Sequence, residues 1–120
     1  MMAEIYSTEA KNQANPDHPD LMLKFGELEI DRHTRAVIYN DNRIKITRNE
    51  FDLLWHLASN RNRVVQRSEL FDKFIGFEYN GVDRKIDLRV SRLRKKLLRI
   101  INRDLIKSVR SEGYRFLAKL

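Results

Sequence analysis

Five basic side chains recur at helical spacing in the C-terminal half of the chain. They follow one another after four, three, four and three residues, which places them on one stripe of an α-helix. They are Lys85, Arg89, Arg92, Lys96 and Arg99. Such a row suits a polyanion, because each cation that neutralises a phosphate releases a counterion. Arginine can also read bases, because its planar fork matches the O6 and N7 acceptors of guanine. A merely solvated basic face is the alternative.

Arg110 is a second candidate, because it lies where the chain is expected to turn. The apolar runs 106–109 and 114–118 flank Arg110-Ser111-Glu112-Gly113, which predicts a β-hairpin. An arginine at a hairpin tip can enter a narrow, A·T-rich minor groove. An arginine in a turn is also commonly just solvated, so both interpretations of Arg110 stay open.

The amino-acid composition predicts an anionic binding partner. The 120 residues carry a net charge of +7 and predict one domain. Nucleic acid, an anionic membrane surface and an acidic protein all fit this charge. The chain has no cysteine, which excludes disulfides, thiolate metal sites and a cysteine nucleophile and fits a cytoplasmic location. No apolar run is long enough to cross a membrane, and the start does not resemble a signal peptide.

Nothing in the sequence predicts an enzyme, a metal site or a cofactor. No histidine is followed three or four residues later by another histidine or a carboxylate, as a helical metal site would require. Glu50 has a capping role, and Asp87 is expected to pair with Arg84 or another nearby cation. Asp52 has no matched partner for acid–base work, and no glycine-rich phosphate loop is present.

Residues 1–20 differ from the rest of the chain. They hold both prolines and a charge of −3, which leaves +10 for residues 21–120. We expect them to form a flexible tail or interdomain linker, because they cannot bury enough apolar surface to offset ordering.

About four antiparallel strands are predicted after this segment. Short apolar runs between Leu21 and Ile46, separated by Asn, Asp and Gly, indicate them. The last strand is expected at 44–46, after a turn at 40–42.

Three helices are predicted after these strands. Thr47 and Glu50 form a capping box that opens the first helix, whose core face holds Phe51, Leu54, Trp55 and Ala58. A shorter helix is expected over 67–74, followed by a loop bounded by glycines at 76 and 81. The third is expected over 84–100 with Asp83 as its N-cap. Its apolar stripe comprises Ile86, Val90, Leu93, Leu97 and Ile100.

Three separated motifs resemble the OmpR/PhoB-type winged-helix effector domain of response regulators. They are T-x-x-E-F-x-L-L at 47–54, R-K-I-D-L-R-V-S-R-L-R-K-K-L at 84–97, and I-K-S-V-R followed by G-Y-R-F at 106–110 and 113–116. The resemblance covers residues 23–118 and is closest to the RstA branch. It implies an α+β winged helix-turn-helix over 21–120, with an N-terminal four-stranded antiparallel sheet, three helices and a C-terminal hairpin wing. The function implied is sequence-specific binding of double-stranded DNA to control transcription in a two-component system.

The resemblance also implies roles for individual residues. The third helix becomes the recognition helix in the major groove, where Leu88 and Arg92 face base edges. Arg110 becomes the wing residue in the minor groove. Contacts to the DNA backbone are expected from Arg84, Lys85, Arg89, Arg94, Lys96, Ser108 and Tyr114. The loop 75–82, with Phe77, Glu78 and Tyr79, is where such proteins touch RNA polymerase.

Further partners follow from the family. Its regulators carry a receiver domain before this module and commonly bind direct repeats as tandem dimers, whereas the isolated domain is expected to be a monomer.

The wing departs from the family pattern at two positions. Ser111 stands where the family usually has glycine, which disfavours a positive φ there. Glu112 places an anion at the tip, where it would repel phosphate unless Arg110 or Lys107 pairs with it.

Two alternatives stay open. A protein-interaction module could use the same basic face to bind an acidic partner, and only discrimination among duplexes would separate the two functions. Phe77 and Tyr79 could cover the core instead of contacting a polymerase or a second protomer. Single-strand binding is disfavoured, because exposed aromatic residues do not alternate with the basic stripe.

Overall fold

The computed structural model describes residues 21–76 and 80–118. The predicted tail at 1–20 and the predicted polymerase contacts Phe77, Glu78 and Tyr79 lie outside these residues. Two sheets and three helices make up the described part. The elements are β1 (Met22–Phe25), β2 (Leu28–Asp31), β3 (Ala36–Tyr39), β4 (Asn42–Ile44), α1 (Arg48–Ser59), β5 (Val65–Gln66), α2 (Arg67–Phe74), α3 (Lys85–Ile101), β6 (Ile106–Val109) and β7 (Gly113–Phe116).

The N-terminal sheet is an antiparallel meander in the order β1-β2-β3-β4. Asn40 and Asp41 both have positive φ, at 50° and 65°, which is the requirement of a two-residue type I′ hairpin turn. Tyr39 therefore pairs with Asn42, and β4 begins at Asn42. The prediction that the fourth strand covers 44–46 after a three-residue turn was wrong, because the turn needs only two residues.

The capping box predicted for α1 is confirmed. The amide of Glu50 donates to Thr47 Oγ1 at 3.1 Å, and the amide of Thr47 donates to Glu50 Oε1 at 2.9 Å. The predicted core face is also confirmed, since its four residues are at most 8% exposed. α1 packs against both α3 and β7 and thereby supports the helix and the hairpin that carry the candidate site.

α3 departs from its predicted bounds at both ends. It begins at Lys85 with Arg84 at the N-cap, although Asp83 Oδ1 still accepts the Lys85 amide at 2.9 Å. At the other end Ile101 is buried and Ile100 is 43% exposed. At 3.6 residues per turn these two residues lie about 50° on either side of the apolar stripe. The helical period therefore could not choose between them, and tertiary packing did.

The second sheet contains a strand that the sequence did not predict. β5 is two residues long and pairs with β7, so that the order is β5-β7-β6. Val65 is fully buried, and β5 leads directly into α2. The hairpin β6–β7 is thus joined to the helical part, and the whole arrangement is the winged-helix fold that the sequence predicted.

Candidate nucleic-acid interface

The predicted reading residues lie on the solvent side of α3. Leu88 is 53% exposed although it is a large apolar residue, and Arg92, one turn later, is exposed as well. Both lie opposite the face that packs into the core. An exposed leucine next to an arginine can contact a thymine methyl group and a guanine edge respectively.

The cations of the stripe differ in how they are held. Lys85 Nζ lies 2.9 Å from Asp83 Oδ2, Arg89 Nη1 donates weakly to the Phe74 carbonyl at 3.4 Å, and Lys96 Nζ lies 2.6 Å from Glu50 Oε1. Within the described residues, Arg92 and Arg99 form no ion pair. These two arginines, which have no ion-pair partner among the described residues, lie in the middle and at the end of the stripe.

Arg94 has a partner beyond the end of α3. Its Nε and Nη2 donate to the two carboxylate oxygens of Asp104 at 2.8 and 2.6 Å. The hydrogen bond from Arg94 holds the pKa of Asp104 below its usual range. This bidentate geometry closes the turn between α3 and β6. The predicted phosphate contact of Arg94 stays a prediction, and it would have to share the guanidinium with Asp104.

Tyr114 faces inward. It is 4% exposed, and its hydroxyl donates to Asp87 Oδ1. Burial, together with the hydrogen bond to Asp87, raises the pKa of Tyr114 to about 12. Its predicted contact with the DNA backbone stays a prediction, and such a contact would compete with this internal partner.

Asp87 is the acceptor at the start of α3. Arg84 Nε lies 2.6 Å from Asp87 Oδ2, as the sequence led us to expect, and Arg67 Nε lies 3.0 Å from Oδ1. Burial alone would raise the pKa of Asp87, but the hydrogen bonds from Tyr114, Arg67 and Arg84 lower it. Sequence reasoning missed Arg67, which lies twenty residues earlier and belongs to no periodic pattern.

The wing presents Arg110 at an exposed tip. Ser111 adopts a φ of 65°, so the turn takes the left-handed conformation even without glycine. Glu112 is exposed and, among the described residues, forms no ion pair with Arg110 or Lys107. Ser108 is exposed on β6. The anion of Glu112 therefore stays unneutralised beside Arg110.

The described residues show neither a cluster of metal ligands nor a membrane-spanning helix. They contain no group of three or more His, Asp or Glu side chains that could hold a metal ion. None of their helices is both long and apolar enough to cross a membrane.

Comparison with known proteins agrees with this fold. The family model described as "Transcriptional regulatory protein, C terminal" matches residues 41–116. The transcriptional regulatory protein RstA of Escherichia coli is 39% identical over 99 residues, which are 82% of this chain and 41% of that protein. This chain thus spans about two fifths of that relative.

Solved structures show the same likeness. The RstA DNA-binding domain of Klebsiella pneumoniae, solved in complex with the RstA box, has a TM-score of 0.74 and 37% identity, covering 81% of this chain and 97% of that one. The CpxR DNA-binding domain of E. coli has a TM-score of 0.72 and 27% identity, covering 82% and 98%.

The fold and the site together define a winged-helix domain with an exposed basic helix. The chain belongs to the family of transcriptional regulatory protein C-terminal domains, that of the OmpR/PhoB response regulators. This is a class of transcription regulators and not of enzymes.

Proposed function

We propose that this domain binds double-stranded DNA sequence-specifically and controls transcription as the effector module of a two-component response regulator. The observation that carries the proposal is the solvent face of α3, where Leu88 and Arg92 stand exposed among further cations while the opposite face is buried. A helix held in this way can enter a major groove without losing its packing. A domain of this fold from K. pneumoniae RstA was solved bound to its DNA box.

Affinity and specificity come from different residues in this proposal. Cations along α3 neutralise phosphates and supply most of the affinity, which falls as salt rises. Leu88 and Arg92 read base edges in the major groove, and Arg110 enters the minor groove. Predicted phosphate contacts come from Arg84, Lys85, Arg89, Arg94, Lys96, Ser108 and Tyr114.

The larger assembly is part of the same proposal. A receiver domain precedes this module in the whole protein, two copies bind a direct repeat in tandem, and the loop with Phe77, Glu78 and Tyr79 contacts RNA polymerase in the cytoplasm. The E. coli relative, which is more than twice as long as the matched region, leaves room for such a receiver domain.

The decisive experiment is selection from duplexes with randomised cores at two salt concentrations, followed by sequencing and fluorescence anisotropy on the selected duplex. We expect enrichment of a motif, in particular a direct repeat spaced by one helical turn, about 10–11 bp. Binding that is salt-sensitive but unenriched would contradict sequence-specific binding.

Such a result would favour the second candidate, an interaction module for an acidic protein. The net charge of +7 supports that alternative, but Leu88 argues against it. A leucine in the middle of a cationic face has no use in a purely electrostatic contact, whereas a thymine methyl group is a natural neighbour for it.

A further inference from the structure

Three separate segments of the domain meet at the Asp87 carboxylate. Tyr114 of β7 donates its hydroxyl to Oδ1, Arg67 at the start of α2 donates Nε to Oδ1 at 3.0 Å, and Arg84 at the start of α3 donates Nε to Oδ2 at 2.6 Å. Arg67 also lies over the Tyr114 ring, 4.9 Å from its centroid. We call Asp87, Arg67, Arg84 and Tyr114 the Asp87 cluster.

Asp87 lies next to Leu88 in the first turn of α3 but is poorly placed to read DNA itself. Its side chain is 16% exposed, and both of its oxygens accept hydrogen bonds from cationic donors. A carboxylate close to phosphates also opposes binding by charge. Direct recognition of a base would require Asp87 to give up partners that are already in place.

The same region ties the wing to the rest of the domain. The amide of Arg67 donates to the Glu112 carbonyl at 3.2 Å, and β5 pairs with β7 at Val65–Tyr114 and Gln66–Gly113. Backbone bonds thus dock the wing onto the start of α2. The side chain of Asp87 extends this connection to the first turn of α3.

Asp87 also orients Arg84. The Arg84 side chain remains 75% exposed although its Nε is bound to Asp87, so its terminal nitrogens are free to face outward. Asp87 thereby holds the Arg84 guanidinium at the N-terminal end of α3. For the phosphate contact proposed for Arg84, this lowers the side-chain conformational entropy that is lost on binding.

We propose that Asp87 is a positioning residue for sequence discrimination: it fixes α3 relative to the wing and aims Arg84, without contacting a base. The inference rests on the proposed function. Base contacts from α3 and from Arg110 must form at the same time, so they need a fixed angle between the two elements. Contacts to phosphates tolerate small rotations, so general affinity depends less on this angle.

Tyr114→Phe is the sharpest test, because it removes the hydroxyl and keeps the buried ring. The ratio of affinities for the selected duplex and a scrambled duplex is measured at one salt concentration. We expect this ratio to fall about three- to tenfold, the effect of one net hydrogen bond. Asp87→Asn should lower the ratio at least as much and should raise affinity for scrambled DNA, because it removes an anion. The double variant should add little to Asp87→Asn.

Asp52→Asn is the matched control. It also converts a carboxylate paired with an arginine into an amide, but Asp52 lies on α1 and its partner Arg35 lies in the turn between β2 and β3, outside α3 and the wing. We expect the discrimination ratio to stay at the wild-type value. Circular dichroism and thermal unfolding verify that binding is measured on folded protein.

Several outcomes would overturn the proposal. If Tyr114→Phe lowered both affinities by one common factor, the hydroxyl would serve folding or the DNA backbone and not discrimination. If Asp87→Asn changed preference at a single base pair only, Asp87 would read that base directly. An unchanged ratio would leave the carboxylate without a role in specificity. Failure of the proposed function is distinct, since the wild-type protein would then show no discrimination at all.

Discussion

Arg92 and Arg99 lie seven residues apart on the same basic stripe, yet we expect them to act differently. Both are exposed and neither forms an ion pair with another described residue. Arg92 lies one turn from Leu88 in the middle of the reading face, whereas Arg99 lies in the last turn of α3. We therefore expect position along the helix, and not charge, to decide which of the two arginines reads a base and which binds phosphate.

Replacing Arg92 should therefore affect both affinity and specificity. We expect Arg92→Ala to cost about 1–3 kcal/mol on the selected duplex and to relax preference at one base pair. Arg99→Ala is the matched control, which removes the same charge and should weaken all duplexes alike. The measurement is anisotropy on a panel with every base pair substituted in turn. Unchanged discrimination in Arg92→Ala would exclude Arg92 as a reading residue.

Lys96 is predicted to bind phosphate, but it already pairs with a carboxylate inside the domain. Its ammonium lies 2.6 Å from Glu50 Oε1, the carboxylate that also caps α1. Burial alone would raise the pKa of Glu50, but the hydrogen bonds from Lys96 and the Thr47 amide outweigh it and lower the pKa. A phosphate must therefore compete with Glu50 for Lys96.

This competition gives a paired prediction. Lys96→Ala should weaken binding to all sequences similarly and reduce the salt slope by about one unit. Glu50→Gln should strengthen binding to all sequences, because it releases Lys96 while a glutamine still completes the capping box. Titrations with scrambled duplex at several salt concentrations measure both effects. A loss confined to one sequence would contradict a phosphate role for Lys96.

At the scale of elements, the wing depends on a close approach between two strands. A Cβ at Gly113 would lie 2.0 Å from the Val65 carbonyl oxygen, which is far inside contact distance. The nearest atoms are backbone atoms of Val65 and Gln66. They cannot move easily, because these two residues form β5, which is paired with β7. Only glycine allows β7 to lie against β5 at this position.

Gly113→Ala should consequently destabilise the domain by about 3 kcal/mol or more, the range of severe overpacking. Urea denaturation followed by circular dichroism measures the change in the free energy of unfolding. Arg115→Ala, on the exposed side of the same strand, should stay within about 0.5 kcal/mol of the wild type. Comparable stability of Gly113→Ala would mean that β5 and β7 can separate at little cost.

A second element-level feature joins α1, α2 and the loop between them through Glu69. His56 Nε2 lies 2.7 Å from Glu69 Oε2, and Arg63 donates to both carboxylate oxygens at 2.9 and 2.8 Å. The hydrogen bond from Arg63, assisted by His56, lowers the pKa of Glu69 from 4.5 to about 2. Folding therefore favours the charged form of the Glu69 carboxylate.

The sign of the pH effect follows from this lowered pKa. The stabilisation from Glu69 is present above its unfolded pKa of 4.5 and is lost as the pH falls towards 2. We expect Glu69→Gln to lower the free energy of unfolding by about 1–2 kcal/mol at pH 5, allowing for solvent screening, and the difference to fall by more than half at pH 3. Glu27→Gln is the control, because Glu27 is exposed and forms no ion pair among the described residues, and it should stay within about 0.5 kcal/mol of the wild type. A difference that is constant across this range would exclude the ionised pair as its cause.

At the scale of the whole molecule, the charge of +7 opposes self-association in the absence of DNA. Leu88, Leu98 and Ile100 are exposed large apolar residues of α3, but they point in different directions around the helix and do not form one patch. The other exposed large apolar residues are Leu21 and Met22 at the start of β1, and Val82 before α3. We expect a monomer in free solution and two molecules on a duplex with a direct repeat. Sedimentation velocity with and without that duplex measures both states. A stable dimer without DNA would contradict pairing directed by the repeat.

Much of the fold was predictable because it depends on residues close together in the chain. The Thr47–Glu50 capping box, the turn at Asn40 and the apolar stripe of α3 each involve neighbours within a few positions. The pairing of Arg84 with Asp87 is similarly local. The strand β5 was not predictable, because two residues carry no periodicity and their pairing with β7 spans about fifty positions.

The sequence by itself determined that α3 has one apolar and one basic face, and that a hairpin follows it. Helical spacing and turn chemistry act over a few residues, so the linear order contains them. Only the tertiary structure decided which cations are already engaged: Lys96 reaches Glu50 across 46 positions and Arg67 reaches Asp87 across 20. It also decided that Ile101 and not Ile100 enters the core. Ion pairs and burial of this kind depend on distances in space, which the spacing of residues along the chain does not specify.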